Sequence, residues 1–196
     1  MNMAGVLLAG GQSSRYGQPK MFALFAGQPL YKQSLTALQQ SQLDPIIIAT
    51  NASLQPYFTE EHVQWLIDKK PHQGPLFALH TVLTAYPEVE WFFIVACDMP
   101  CMNAPFIQQM LGFIDNQYDA IVPRQGERYQ PLAALYRRTA LAKTTALIQQ
   151  NKRNMRALLE QLRVCYVPFT EHEPAFININ AQQDWAQIAN KENNHD

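Results

Sequence analysis

The sequence predicts an α/β fold: one Rossmann-like domain over residues 1–190, with a mostly parallel central sheet, helices on both faces and a less regular last third. Three observations predict it. Short apolar runs such as "MAGVLLA", "PIIIAT" and "WFFIVAC" recur, each closing on a glycine or a polar residue. Stretches with helical leucine spacing separate them, and strands joined by helical crossovers pair in parallel. Apolar residues make up 47% and charged residues 16% of 196, enough for a core covered on two sides.

The elements follow in order. Met3–Ala9 is apolar and punctuated by glycine, a buried strand. Leu30–Gln40 carries leucines at 30, 35 and 38, a helix. Pro45–Thr50 holds three consecutive isoleucines, apolar on both faces like a central parallel strand. Val63–Ile67 is a shorter strand ending at Asp68. Leu76–Tyr86 is a helix entered through Gly74-Pro75. Trp91–Cys97 is the strongest strand and ends at Asp98; Ala104–Ile114 is a helix with Pro105 in its first turn; Asp119–Val122 is a strand. Beyond it the pattern predicts strands at Gln130–Tyr136, Val164–Phe169 and Ala175–Ile179, and helices at Arg138–Gln150, Met155–Gln161 and about 182–189. Residues 191–196 are expected to be a disordered tail.

Ligands of open α/β sheets bind at the carboxyl ends of the strands. Those ends carry Gly10-Gly11, Asn51, Asp68 and Asp98, a set of glycines, an amide and acids that suits a nucleotide. The first loop, "GGQSSRYGQPK", fits neither GxGxxG nor GxxxxGK[ST]. It offers backbone N–H groups, two hydroxyls and the cations Arg15 and Lys20, the makings of an anion nest. Composition alone leaves an ordinary glycine turn open. Asp98, at a strand end, is a natural magnesium ligand, since magnesium takes one or two protein carboxylates and completes its shell with phosphate and water. The alternative is a loop-capping carboxylate.

Bulk properties exclude other classes. A net charge of −1 argues against a general nucleic-acid binder. Three cysteines, 97, 101 and 165, suit packing in a reducing compartment better than a disulfide framework or a zinc site. No basic-then-apolar leader opens the sequence, and no apolar run reaches the roughly 20 residues of a membrane span, so a soluble cytoplasmic protein is expected. Positive charge gathers in the later part, where Arg124 to Arg163 outnumber Glu127 and Glu160. In "NKRNMR", Lys152, Arg153 and Arg156 share one helical face.

These residues resemble a known family. "LLAGGQSSRYGQPK" resembles the LAGGxSxRxGxxK signature of small nucleotidyltransferases, "QGPLFAL" their GPLxGL segment and "ACDMP" their CDxP; "ERYQPLAALYRR" and "FININ" resemble two later segments. Together, from Ala4 to about Trp185, they resemble the molybdenum cofactor guanylyltransferases, the MobA family. The resemblance implies GMP transfer from GTP to molybdopterin, magnesium as cofactor, no nucleic-acid or membrane partner, and transient contact with proteins that deliver or accept the cofactor. It implies a nucleotide-binding half over 1–120 and an acceptor-binding half over 121–190. It assigns Leu8, Ala9 and Gly10 to the base, Gly11, Arg15 and Lys20 to the triphosphate, Asn51 and Asp68 to the nucleoside, Gly74 and Pro75 to the turn against the nucleotide, and Asp98 to the metal. Lys20, Arg15 and Asp98 then carry catalysis, while Asn178, Asn180 and Arg156 lie on the acceptor side. The chain departs from the family at Pro19, where an acid is usual, and at Gln130, where histidine is usual. A pterin cytidylyltransferase would share the fold and loop, but "LAGG" resembles the guanine branch. A nucleotide-binding module without catalysis would bind GTP and release no diphosphate.

Overall fold

The computed structural model describes residues 1–11, 19–70 and 72–179. Arg15, Asn180, the helix expected at 182–189 and the tail lie outside the described residues.

The strongest apolar runs form the middle of the sheet. β1 (Met3–Leu8) lies between β4 (Ile46–Asn51) and β6 (Trp91–Ala96), parallel to both. β5 (Gln64–Asp68) closes one edge in parallel with β4. On the other side β9 (Ala133–Arg137) runs antiparallel to β6 and to β7 (Ala120–Gln125), and β10 (Val164–Pro168) is parallel to β7 at the far edge. The order is β10-β7-β9-β6-β1-β4-β5, with β8 (Arg128–Tyr129) returning on β7 through a turn at Gly126, φ +53°. Two antiparallel steps flank β9, so β7 and β10 point the same way as β1 and β6, and their carboxyl ends share one rim.

Successive side chains of a strand point to opposite faces, which divides the core in two. Leu7, Ile48, Phe93 and Leu135 pack beneath α1 (Leu30–Gln39) and α3 (Ala104–Leu111). Val6, Ile47, Phe92 and Tyr136 pack beneath α2 (Pro75–Ala85), α4 (Leu141–Gln149) and α5 (Met155–Leu159). Gly5 lets α1 sit close: a Cβ there would stand 3.0 Å from Ile46 Cδ1 and 3.1 Å from Leu38 Cδ2. Asn103 and Asn154 cap α3 and α5, accepting from the N–H groups of Phe106 and Ala157.

Several expectations are corrected. Ala175–Ile179 is not a strand; Pro174–Phe176 is a 3-10 turn and the chain runs on extended without a ladder partner among the described residues. Pro174 supplies no N–H, and the Phe176 ring is drawn to Phe106 and Phe169, 5.3 and 5.5 Å away. Gln130–Tyr136 is not one strand: the N–H of Ala133 bonds the Gln130 carbonyl, so Gln130–Leu132 turns the chain between β8 and β9. The periodicity also leaves out a two-stranded hairpin, β2 (Leu24–Phe25) with β3 (Gln28–Pro29).

Candidate functional site

The carboxyl ends of β1, β4, β5 and β6 open onto a cavity of about 450 Å³. Leu8, Gly10 and Gly11 wall it from β1, Ala49 and Thr50 from β4, Leu66 and Asp68 from β5, and Ala96, Cys97 and Asp98 from β6. Gly74, Pro75, Ala78 and Thr81 close it from α2, and Leu132 from the turn before β9. The lining is mostly aliphatic, with a few polar groups such as Thr50, Asp68, Thr81 and Asp98, the usual make-up of a small-molecule site. Of the predicted residues, Leu8, Gly10, Gly11, Asp68, Gly74, Pro75 and Asp98 meet here.

Backbone geometry explains the glycines. Among the described residues a Cβ on Gly11 would meet nothing within 4 Å, and one on Gly10 only the Thr50 Cα at 3.8 Å, so those residues leave both positions open. Gly74 holds φ +90°, a conformation L side chains rarely adopt, and starts α2. Pro75 follows at the first helical position, leaving the N–H groups of the first turn at the cavity mouth. A Cβ on Gly74 would lie 3.5 Å from the Arg153 carbonyl oxygen, so the loop before α5 borders the same mouth.

Asp98 is the electrostatic centre. Its Oδ2 lies 3.1 Å from Lys20 Nζ, both side chains being largely buried, at 26% and 14% exposure. Lys20 also donates to the carbonyl of Ile179, whose own N–H donates to the Asp98 carbonyl at 3.0 Å. The loop, the end of β6 and the segment after the Pro174–Phe176 turn are thus tied at one point. Lys20 opens a 3-10 turn that is anchored behind the site: Met21 is buried, and Phe22 packs against Tyr31, Tyr57 and Phe58 at 5.8, 5.7 and 4.8 Å. Burial and the hydrogen bond to Glu60 push the Tyr31 hydroxyl up to about 12. Burial and the neighbouring Asp98 charge likewise push the Cys97 thiol up to about 12, which suits a packing thiol and not a nucleophile.

Other predicted residues are used differently. Ala9 is fully buried and its backbone is spent: its N–H donates to Ala49 O at 2.8 Å and its carbonyl accepts from Thr50 Oγ1 at 2.8 Å. Asn51 does not line the cavity; its Oδ1 accepts from Ser53 N, Ser53 Oγ and Leu54 N and shapes the turn after β4. Asp68 gives one oxygen to the Lys70 N–H at 2.7 Å. Asn178 donates to Phe176 O at 3.4 Å, beside the Ile179 tie. Arg156 points to solvent and pairs with Glu160 one turn along α5; of Arg153 it is the carbonyl and Cβ that lie beside Gly74, while its guanidinium donates to Asn151 Oδ1 at 3.4 Å. Sequence reasoning missed the cavity wall formed by Thr50, Leu66, Ala78, Thr81 and Leu132. Only the inward face of α2 and the third residue of the "QPLAAL" segment could have signalled it. Among the described residues no group of three or more His, Cys, Asp or Glu gathers as a metal centre, and no helix is long and apolar enough to cross a membrane.

Comparison with known proteins places this geometry. A profile of the MobA-like NTP transferase domain matches residues 5–165. A protein of Geobacillus sp. (strain WCH70), named a probable molybdenum cofactor guanylyltransferase, is 33% identical over 95% of this chain and 97% of its own. The crystal structure of molybdopterin-guanine dinucleotide biosynthesis protein A from Archaeoglobus fulgidus superposes with a TM-score of 0.79 at 22% identity, covering 96% of this chain and 99% of that one. A 4-diphosphocytidyl-2C-methyl-D-erythritol synthase from Anaerococcus prevotii superposes equally well, TM-score 0.79, at 11% identity over 98% of this chain and 96% of its own. Backbone shape alone therefore does not choose the base.

Proposed function

Because the chain belongs to the MobA-like NTP transferase family and is a nucleotidyltransferase, we propose that it transfers GMP from GTP to molybdopterin, giving the guanine dinucleotide cofactor and diphosphate. The observation that carries this reading is the joining of the cavity to the Lys20–Asp98 pair along one rim, in a chain a third identical to a named guanylyltransferase. The cavity volume falls within the roughly 300–1,000 Å³ of ligand clefts.

The nucleoside enters between Leu66 and the start of α2, with Asp68 at its polar edge. The backbone of Gly10 borders the base and that of Gly11 approaches the phosphates, where no described side chain lies within 4 Å of a Cβ on Gly11. A terminal phosphate oxygen of the acceptor forms a bond to the α-phosphorus; the α-phosphorus–oxygen bond to the β-phosphate breaks, and its electron pair leaves with diphosphate. The attacking oxygen is already anionic, so no Ser-His or Cys-His pair is needed, and positioning and charge neutralisation supply the catalysis. Lys20, together with Arg15, holds the leaving diphosphate. The donor set fits magnesium and not a transition metal: the rim carries the carboxylates of Asp98 and Asp68, and no group of three or more His, Cys, Asp or Glu gathers among the described residues. Magnesium, when bound, neutralises phosphate charge in the transition state. Asn178 and Asn180 are placed on the acceptor side, and molybdopterin-handling proteins are the expected transient partners.

The test is diphosphate release with each of the four NTPs, with and without molybdopterin. GTP with the acceptor is expected to turn over and CTP to lag by at least about tenfold, since a site that hydrogen-bonds one base leaves its polar groups unpaired with another. Equal turnover of CTP sinks the guanylyl reading.

A further inference from the structure

An exposed pair of aromatic rings stands beyond the cavity on the same face of the sheet. Tyr129 on β8 and Tyr166 on β10 are each 38% exposed, and their ring centroids lie 5.0 Å apart with the planes inclined by 32°. Two large rings left this open at a sheet edge contribute little to the core.

The ladder fixes where they point. Tyr129 is paired with Arg124, and Tyr166 with Val122. Paired residues share a face and alternate residues repeat it, so Val122, Arg124, Tyr129 and Tyr166 project together. That face buries Val122 beneath α2, α4 and α5, and Leu8 and Leu132 of the cavity wall pack on it too. The Arg124–Tyr129 pair ends β7 at the carboxyl rim, the rim that holds Asp98. Tyr129 precedes Leu132 by three residues, a reach of no more than about 10 Å. Positive charge stands with the rings: Arg124 is exposed on their face, whereas Arg128, paired with Gln125, projects from the other. Burial raises the pKa of the Tyr166 hydroxyl, and Arg124 is close enough to oppose that shift while Glu160 adds to it.

We propose that Tyr129 and Tyr166 form a stacking platform for the heteroaromatic ring of the acceptor, with Arg124 beside it for the ligand's negative charge. The proposal rests on the acceptor reading given above and assigns the ring, where that reading places only the reacting phosphate. A flat ring needs an apolar face that also orients it, and aromatic stacking supplies both. An anionic ligand complements Arg124, while the chain as a whole is near neutral.

The experiment titrates a fluorescent probe, 6-hydroxymethylpterin monophosphate, into the full chain, with GTP affinity measured on the same samples. Stacking is expected to quench the probe, and Tyr129→Ala and Tyr166→Ala each to weaken it roughly tenfold. The double Tyr→Phe variant is expected to bind like the wild type, and GTP affinity to hold in all. Ring-proton NMR shifts of both tyrosines in the wild-type chain, expected to move on saturation, keep the test independent of variant folding. Pterin binding that ignores both alanine variants, losses equal in the phenylalanine variant, or unmoved ring protons overturn the platform while leaving the acceptor reading intact. A wild-type chain that binds GTP but no pterin phosphate overturns that reading and the platform with it.

Discussion

Lys20 and Asp98 bind each other, 3.1 Å apart, although the proposed transfer puts the lysine on phosphate and the carboxylate on a cation. A divalent ion arriving alone then competes with an ammonium for the same carboxylate. Lys20→Met is therefore expected to raise nucleotide-free Mn²⁺ affinity by roughly an order of magnitude, while cutting turnover at least about a hundredfold. Electron paramagnetic resonance of free Mn²⁺ reads the first effect, and Asp98→Asn in the same background should remove it. Affinity no higher than wild type means that the lysine does not compete. At this scale Asp98, Asp68 and the glycine pair were legible in sequence because each directly follows an apolar run. Asn51 follows one too, yet it is spent on a turn. Polarity and position at a strand end do not reveal whether a side chain bends back onto its own backbone.

Among the elements, the three strands at one end of the sheet are stapled by one carboxylate. Asp119, just before β7, accepts from Arg163 Nε and Nη2, both at 3.0 Å, and from Thr139 Oγ1 at 2.7 Å, while its carbonyl accepts from Arg137 N. Hydrogen bonds from Arg163, ahead of the opposing effect of burial, lower its pKa from 3.8 to about 2. A carboxylate with a depressed folded-state pKa stabilises fully above its unfolded value and loses that contribution as pH falls towards the folded one. Wild-type melting temperature should thus drop more steeply than that of Asp119→Asn between pH 4 and pH 2, read by circular dichroism; parallel slopes would show that the staple carries no stability. The parallel strands were legible because burial on both faces writes a continuous apolar run, as in "WFFIVAC". The hairpin at 24–29 was not, because two-residue strands carry no periodicity. "AFINI" looked like a strand because alternation records burial on one side and not the presence of a neighbour to pair with.

Across the whole molecule, net charge is −1, but Arg124 and Arg128 stand exposed at the carboxyl end of β7 with Glu127 between them. Attraction of an anionic acceptor is then local and short-ranged, and salt screens exposed charges within about 10 Å at 0.1 M. The acceptor KM is expected to rise with ionic strength several-fold more steeply than the GTP KM, checked by initial rates from low to high salt; equal slopes would place the acceptor away from the arginines. The general plan was readable from alternating runs. What was not readable was the meeting of positions 20, 98 and 179, because contacts so distant in sequence leave no local pattern. That meeting carries a consequence for synthesis. A chain emerging from the ribosome has produced every described sheet strand once Pro168 is out, yet Ile179 is still to come. Until it arrives, the Asp98 carbonyl lacks its donor and Lys20 lacks its second acceptor. The rim around Asp98 is thus tied only after every described sheet strand has been made, so a product ended between Pro168 and Ile179 holds the strands but not the tie.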